Sequence, residues 1–205
     1  MTHRKECYLC GRPATTRDHV PPKTLFPGPR PENLITLPSC ERCNKAYSLD
    51  EEYFRNNVSM LSNPEHAAPI WKAAHRSLKR SPKLYADTMR RLSVTDSAGI
   101  RLPVLRYDAM RTNRVLVKIA HGLVYHHTGR RLPDSVRTEA FPVEDVPNSL
   151  KELTPKLPFR GRWQGVFAYT GGMSADDPDT GVWLFAFYVS RAFLVHFDSQ
   201  QEPTA

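Results

Sequence analysis

The sequence predicts an α+β protein, and three observations carry that prediction. Two Cys-x2-Cys pairs sit in a first sixty residues dense in Pro and Gly, helix-period apolar repeats dominate the middle, and strand-like apolar runs close the chain. The expected order is a cysteine-organised strand–loop–strand–helix unit over 1–60, then a mixed helical and β accessory domain over 61–205. That second part is expected to be helical and basic in 61–131, with a small antiparallel sheet at its C-terminal end.

In the first unit, Pro13, Pro21, Pro22, Pro27, Pro29, Pro31 and Pro38 exclude a long helix or a central strand. Thr15 to Val20 and Leu34 to Leu37 read as short strands joined by an open proline-rich loop. Ser39 offers an N-cap, and Cys40 to about Asn57 reads as a helix whose Asp50, Glu51 and Glu52 form a solvated face. From Asn63 the pattern is helical, with Ile70, Trp71, Ala74 and Leu78 on one face, and a second short helix follows over Pro82 to Leu92. Ser93 to Tyr107 suggests a hairpin turning at Asp96-Ser97-Ala98-Gly99. Arg111 to Thr128 repeats Val115, Leu116, Ile119, Ala120 and Leu123 at helical spacing, with Gly129 as its stop and His126-His127 as helix-end residues. Trp163 to Tyr169 and Val182 to Phe197 read as two strands joined by a polar turn, with Trp163, Trp183 and Phe185 to Tyr188 as sheet core.

Composition narrows the function classes. The chain has 205 residues and only 4 Cys, so it can bury a core without disulfide staples, which argues against a small secreted scaffold. The longest apolar runs, such as Val182 to Val189, fall far short of a bilayer span, and the first residues carry no apolar signal region, so a cytoplasmic protein away from membranes is expected. The net charge of +8 is unevenly spread. Residues 61–131 hold 14 Lys+Arg against 4 Asp+Glu, residues 1–60 hold 9 against 7, and residues 132–205 hold 6 against 10. A concentrated basic block implies a polyanionic partner, whereas the acidic remainder reads as scaffold.

Cys7-Tyr8-Leu9-Cys10 and Cys40-Glu41-Arg42-Cys43 are two knuckles with the spacing of a tetrahedral zinc site. A redox or unpaired thiol set is the alternative, disfavoured in a reducing compartment. Four thiolates around Zn²⁺ carry a net −2, which leaves the first sixty residues nearly neutral, so electrostatic affinity should come from the middle segment.

Between the knuckles stand Asp18-His19 and Asn33, and Asn44 directly follows the second knuckle. In this order the residues resemble the HNH (ββα-metal, His-Me finger) endonucleases, in particular zinc-stabilised members ending in Asn, such as phage endonucleases that resolve branched DNA. The resemblance covers roughly residues 5–57. Its Val20-Pro21-Pro22 and proline-rich loop depart from the Gly-rich loop of many such enzymes, as does Asn in the last position where many have His.

The resemblance implies phosphodiester hydrolysis in DNA. His19, whose unperturbed pKa lies near neutrality, would be the general base. Asp18 and Asn44 would hold one divalent ion, Mg²⁺ or Mn²⁺, and Asn33 would orient the loop carrying His19. Successive strand side chains point to opposite faces, so Asp18 and His19 could share a site only where the strand ends or bends, as Pro21-Pro22 allows. Lys72, Arg76, Lys79, Arg80, Arg111, Arg114 and Lys118 would contact phosphates, with solvated helix faces as the alternative. A homodimer would suit a double-strand cutter with one active site per chain. The competing function is a non-catalytic zinc-organised module that binds nucleic acid or protein. Such a module has no need of the Asp18, His19, Asn44 set.

Overall fold

One long helix near the middle of the chain is packed on by an N-terminal hairpin, an earlier helix and strands of a C-terminal sheet. The computed structural model describes residues 6–26, 28–62, 64–97, 99–143, 152, 156–163 and 165–199. Asn63, Ala98 and the N-terminal residues 1–5, on which expectations above rest, lie outside the described residues.

Strands β1 (Thr16–Val20) and β2 (Ile35–Ser39) pair antiparallel, with Asp18 opposite Leu37 and His19 opposite Thr36. The chain then enters α1 (Glu41–Ala46) and, after a break at Tyr47, α2 (Ser48–Met60). The expected single helix is thus two. Its N-cap is Cys40, not Ser39, because the Cys40 Sγ accepts the Cys43 N–H at 3.4 Å.

Helices α3 (Pro64–Arg80) and α4 (Pro82–Arg91) follow as expected, and Ser81 caps α4 by accepting the Leu84 N–H. The hairpin β3 (Leu92–Ser97) and β4 (Ile100–Leu105) pairs in register from Leu92–Leu105 to Ser97–Ile100. The long helix α5 (Ala109–Thr128) starts on Asp108, whose carboxylate accepts the Arg111 N–H, and stops at Gly129 in the left-handed conformation at φ 70°.

The C-terminal sheet is antiparallel in the order β5-β9-β8-β7-β6, built from β5 (Arg137–Pro142), β6 (Phe159–Trp163), β7 (Phe167–Met173), β8 (Gly181–Phe187) and β9 (Arg191–Asp198). Each of the two expected strands is split by a turn. Gly165 at φ 68° divides the first, and Tyr188 and Val189, both at positive φ, divide the second. Two consecutive non-glycine residues in that region defeat a reading based on apolar runs, since neither advertises a turn. The Tyr188 hydroxyl holds the turn by donating to the Leu25 carbonyl at 2.7 Å.

Helix α5 packs on β1 and β2, on α2, and on β5 and β9. One hydrophobic cluster accordingly runs from Tyr8, Val20 and Leu37 through Val115, Leu116 and Ile119 to Phe167, Phe187 and Phe197. Residues 6–60 and the remainder share this core. Gly122 makes the approach possible, because a Cβ there would stand 2.6 Å from Val20 Cγ2.

Candidate metal centre

The first knuckle is a tight turn in which the Cys7 N–H donates to the Arg12 carbonyl and the Gly11 N–H returns to the Cys7 carbonyl. The second opens α1, so Cys40 and Cys43 lie one turn apart on the same side. The thiols of Cys7, Cys10, Cys40 and Cys43 are free, and the four Sγ atoms lie within 4.8 Å of one another. Cys10 and Cys40 stand 3.7 Å apart, against about 3.8 Å for two sulfurs bound to one tetrahedral Zn²⁺ at ~2.3 Å. The donor set and its spacing therefore fit a structural metal such as zinc. Among the described residues this is the one group of three or more His, Cys, Asp and Glu side chains arranged to hold an ion.

The electrostatics of the thiols agree. Burial alone would raise Cys7, but backbone N–H groups of Cys40, Leu9 and Cys10 and the Ser39 hydroxyl outweigh it and bring the thiol down to about 7. Burial and the neighbouring sulfurs push Cys43 strongly up, as expected where four sulfurs crowd together and only a cation would let all of them ionise.

His19 is half-buried near the end of β1, on the face opposite Asp18. Partial burial lowers its pKa, the charges of Lys23, Arg30 and Arg17 lower it further, and Asp18 opposes them. The imidazole is thereby kept neutral and able to accept a proton among cations that suit a phosphate. Arg17 and Thr36 also line a shallow groove of about 200 Å³ with Thr16 and Pro38. Arg17, Lys23 and Arg30 were missing from the expected site. The Arg17-x-His19 alternation could have revealed the first, whereas the other two come close only through the loop.

The structure gives several of the expected site residues partners of their own. Asp18 points inward: its Oδ2 accepts from the Tyr8 hydroxyl at 2.9 Å and pairs with Lys118 Nζ at 2.7 Å, and its Oδ1 accepts the His19 N–H at 2.8 Å. Asn44 uses its Nδ2 to bind Thr16 Oγ1 and the Arg17 carbonyl, tying α1 to the open edge of β1. The Asp18 carboxylate is thus engaged on three bonds, whereas both of these Asn44 bonds leave its Oδ1 aside. Asn33 is exposed and accepts from Trp163 Nε1 at 3.1 Å, which ties the segment before β2 to the C-terminal sheet.

The expected phosphate contacts also divide. Lys72, Arg76, Lys79 and Arg80 are exposed along one face of α3. Arg111 and Arg114 instead grip the buried Asp50 carboxylate at 2.7 and 2.5 Å, and Lys118 is 1% exposed. Asp50 and Glu51 are therefore partners of α5 and not members of a solvated acidic face. His127 likewise bonds the Tyr169 hydroxyl at 2.8 Å and stacks on Phe159.

A cleft of about 510 Å³ lies between α2, α4 and the start of α5, where Asp50, Asp87 and Asp108 meet Lys83, Arg91 and Arg111. It contains neither His19 nor the cysteines. No described helix is long and apolar enough to cross a membrane. No protein-family model, curated protein or solved structure matches the chain.

Proposed function

We propose that the chain is a nuclease of the HNH type that hydrolyses phosphodiester bonds in DNA, with a structural zinc at Cys7, Cys10, Cys40 and Cys43. The observation that carries this reading is the antiparallel hairpin followed by the helix that the second cysteine pair opens, with His19 on the hairpin face opposite Asp18 and its pKa lowered by burial and by the charges of Lys23, Arg30 and Arg17. His19 takes the proton of an attacking water while the oxygen–phosphorus bond forms. The bond from phosphorus to the 3′ oxygen then breaks, and that oxygen is protonated from solvent. Duplex backbone lies along α3, on Lys72, Arg76, Lys79 and Arg80.

Conversion of supercoiled plasmid to the nicked form is the test. His19→Ala should slow nicking by about 100-fold or more, the usual loss on removing a general base. Wild-type protein that leaves plasmid and branched DNA intact, with and without Mg²⁺ or Mn²⁺ and across several salt concentrations, ends the nuclease reading.

A second reading, a zinc-organised binding module, is favoured by the bonds that tie up Asp18. On that reading the α3 face binds nucleic acid equally well in wild type and His19→Ala, and neither cleaves it.

A further inference from the structure

A buried lysine is the feature that this functional reading leaves unused. Lys118 lies mid-way along α5 with 1% exposure, and its Nζ is shared between Asp18 of β1, at 2.7 Å, and Glu51 of α2. The Tyr8 hydroxyl, from the first knuckle, donates to the same Asp18 oxygen, and the Tyr47 ring faces the ammonium at 5.3 Å. Four segments thus converge on a single cation. Taking an ammonium out of water is costly unless charges and hydrogen bonds replace the lost hydration, and here two carboxylates do so. One of the two, Asp18, is also the carboxylate to which, together with Asn44, the resemblance assigns a divalent ion.

We infer that the Lys118 ammonium is the resident cation of the Asp18–Glu51 pair, that it occupies the carboxylate expected to hold Mg²⁺ or Mn²⁺, and that the chemistry at His19 proceeds without a divalent ion. The inference rests on the nuclease reading for its second half only. Mg²⁺ demands near-octahedral oxygen ligands at about 2.0–2.1 Å and keeps several of its waters. While the ammonium stays, Lys118 Nζ and the Tyr8 hydroxyl take the Asp18 oxygen that such an ion would need. Asp18 then acts through its neighbours as a positioning residue. Lys118 fixes one oxygen, and the other receives the His19 N–H and so sets the end of β1. The positive charge facing the phosphate comes instead from Arg17, Lys23 and Arg30. The balance of the step is unchanged: water loses a proton to His19, its oxygen bonds to phosphorus, and the 3′ oxygen departs and is protonated by solvent.

The experiment uses the full zinc-loaded chain, with zinc content checked by elemental analysis after each treatment. Binding of Mn²⁺ is followed by the loss of the free-ion electron paramagnetic resonance signal, and plasmid nicking is measured in metal-depleted buffer and with added Mg²⁺. The expected results are nicking within about twofold in the two buffers and no saturable Mn²⁺ binding by wild type. Lys118→Met should gain Mn²⁺ binding that Asp18→Asn removes when combined with it, while nicking falls about tenfold or more and recovers in part in Lys118→Arg. Nicking that requires Mg²⁺ while zinc is retained overturns the inference, as does saturable wild-type Mn²⁺ binding abolished by Asp18→Asn. Should Lys118→Met fail to fold, the wild-type and Asp18→Asn titrations decide alone. Absence of nicking in every condition ends the nuclease reading and with it the claim about His19, whereas the Mn²⁺ titration still decides whether Lys118 holds the cation position.

Discussion

His121 shows how a single residue acquires its behaviour from neighbours distant in sequence. It lies on α5 with its ring edge-on to Phe197, ring centres 5.5 Å apart, and burial there brings its pKa down to about 4, with Asp134 and Arg131 acting in opposite senses. The unfolded chain holds the proton more tightly, with a pKa near 6.5, so stability is full above that pH and falls as pH drops toward 4. The loss approaches about 3 kcal/mol, and somewhat less because the ring's rim reaches the surface. Urea denaturation between pH 7 and 4 should show a shallower acid limb in His121→Gln than in wild type; identical limbs would remove His121 as the cause. Lys118 illustrates the same dependence. From sequence it belonged with Arg111 and Arg114 on a basic helix face, and nothing local distinguishes an exposed lysine from one enclosed by Asp18 and Glu51. The cysteines are different, since their Cys-x2-Cys spacing sets ligand geometry within each knuckle and could be read directly.

Among the elements, α3 and α5 have the same sequence signal, basic residues at helical spacing, and opposite uses of it. The α3 cations remain exposed, whereas those of α5 neutralise α2. Replacing Lys72, Arg76, Lys79 and Arg80 by Ala should reduce the slope of log affinity for duplex DNA against log salt by about 3 to 4, at ~0.9 for each phosphate no longer neutralised. Replacing Arg111 and Arg114 should leave that slope unchanged and lower stability instead. Equal slopes in both variants would place the DNA elsewhere. The packing of α5 on the β1–β2 hairpin gives a second expectation. Ala at position 122 improves helix propensity by up to ~1 kcal/mol, yet its Cβ would meet Val20 at 2.6 Å. Overpacking should win, giving a net loss of about 1–2 kcal/mol in denaturant titration. Turn positions were the least legible features at this scale: Tyr188 and Val189 look like strand residues, and only pairing of Phe187 with Arg191 shows that the chain reverses there.

For the whole molecule, the shared core changes what loss of a metal from the cysteine cluster should do. Tyr8, Val20 and Leu37 belong to the same cluster as Val115 and Phe187, so the cysteine unit is continuous with the rest. Cys43→Ser should therefore lower the melting temperature of one cooperative transition, by several kcal/mol in stability. Two separated transitions in calorimetry would show the first sixty residues melting alone. The α+β class, the approximate place of most elements, the four-cysteine cluster and the concentration of positive charge in 61–131 can be read along the chain. These depend on local periodicity, capping and short-range spacing, which the chain carries residue by residue. Which charges meet a partner depends instead on how the elements pack. Asp18, Glu51 and Lys118 lie 33 and 67 residues apart along the chain, and they are joined because α5 crosses the hairpin at Gly122. Burial then makes their pairing obligatory, since an ammonium in a closed interior must find carboxylates or lose its charge.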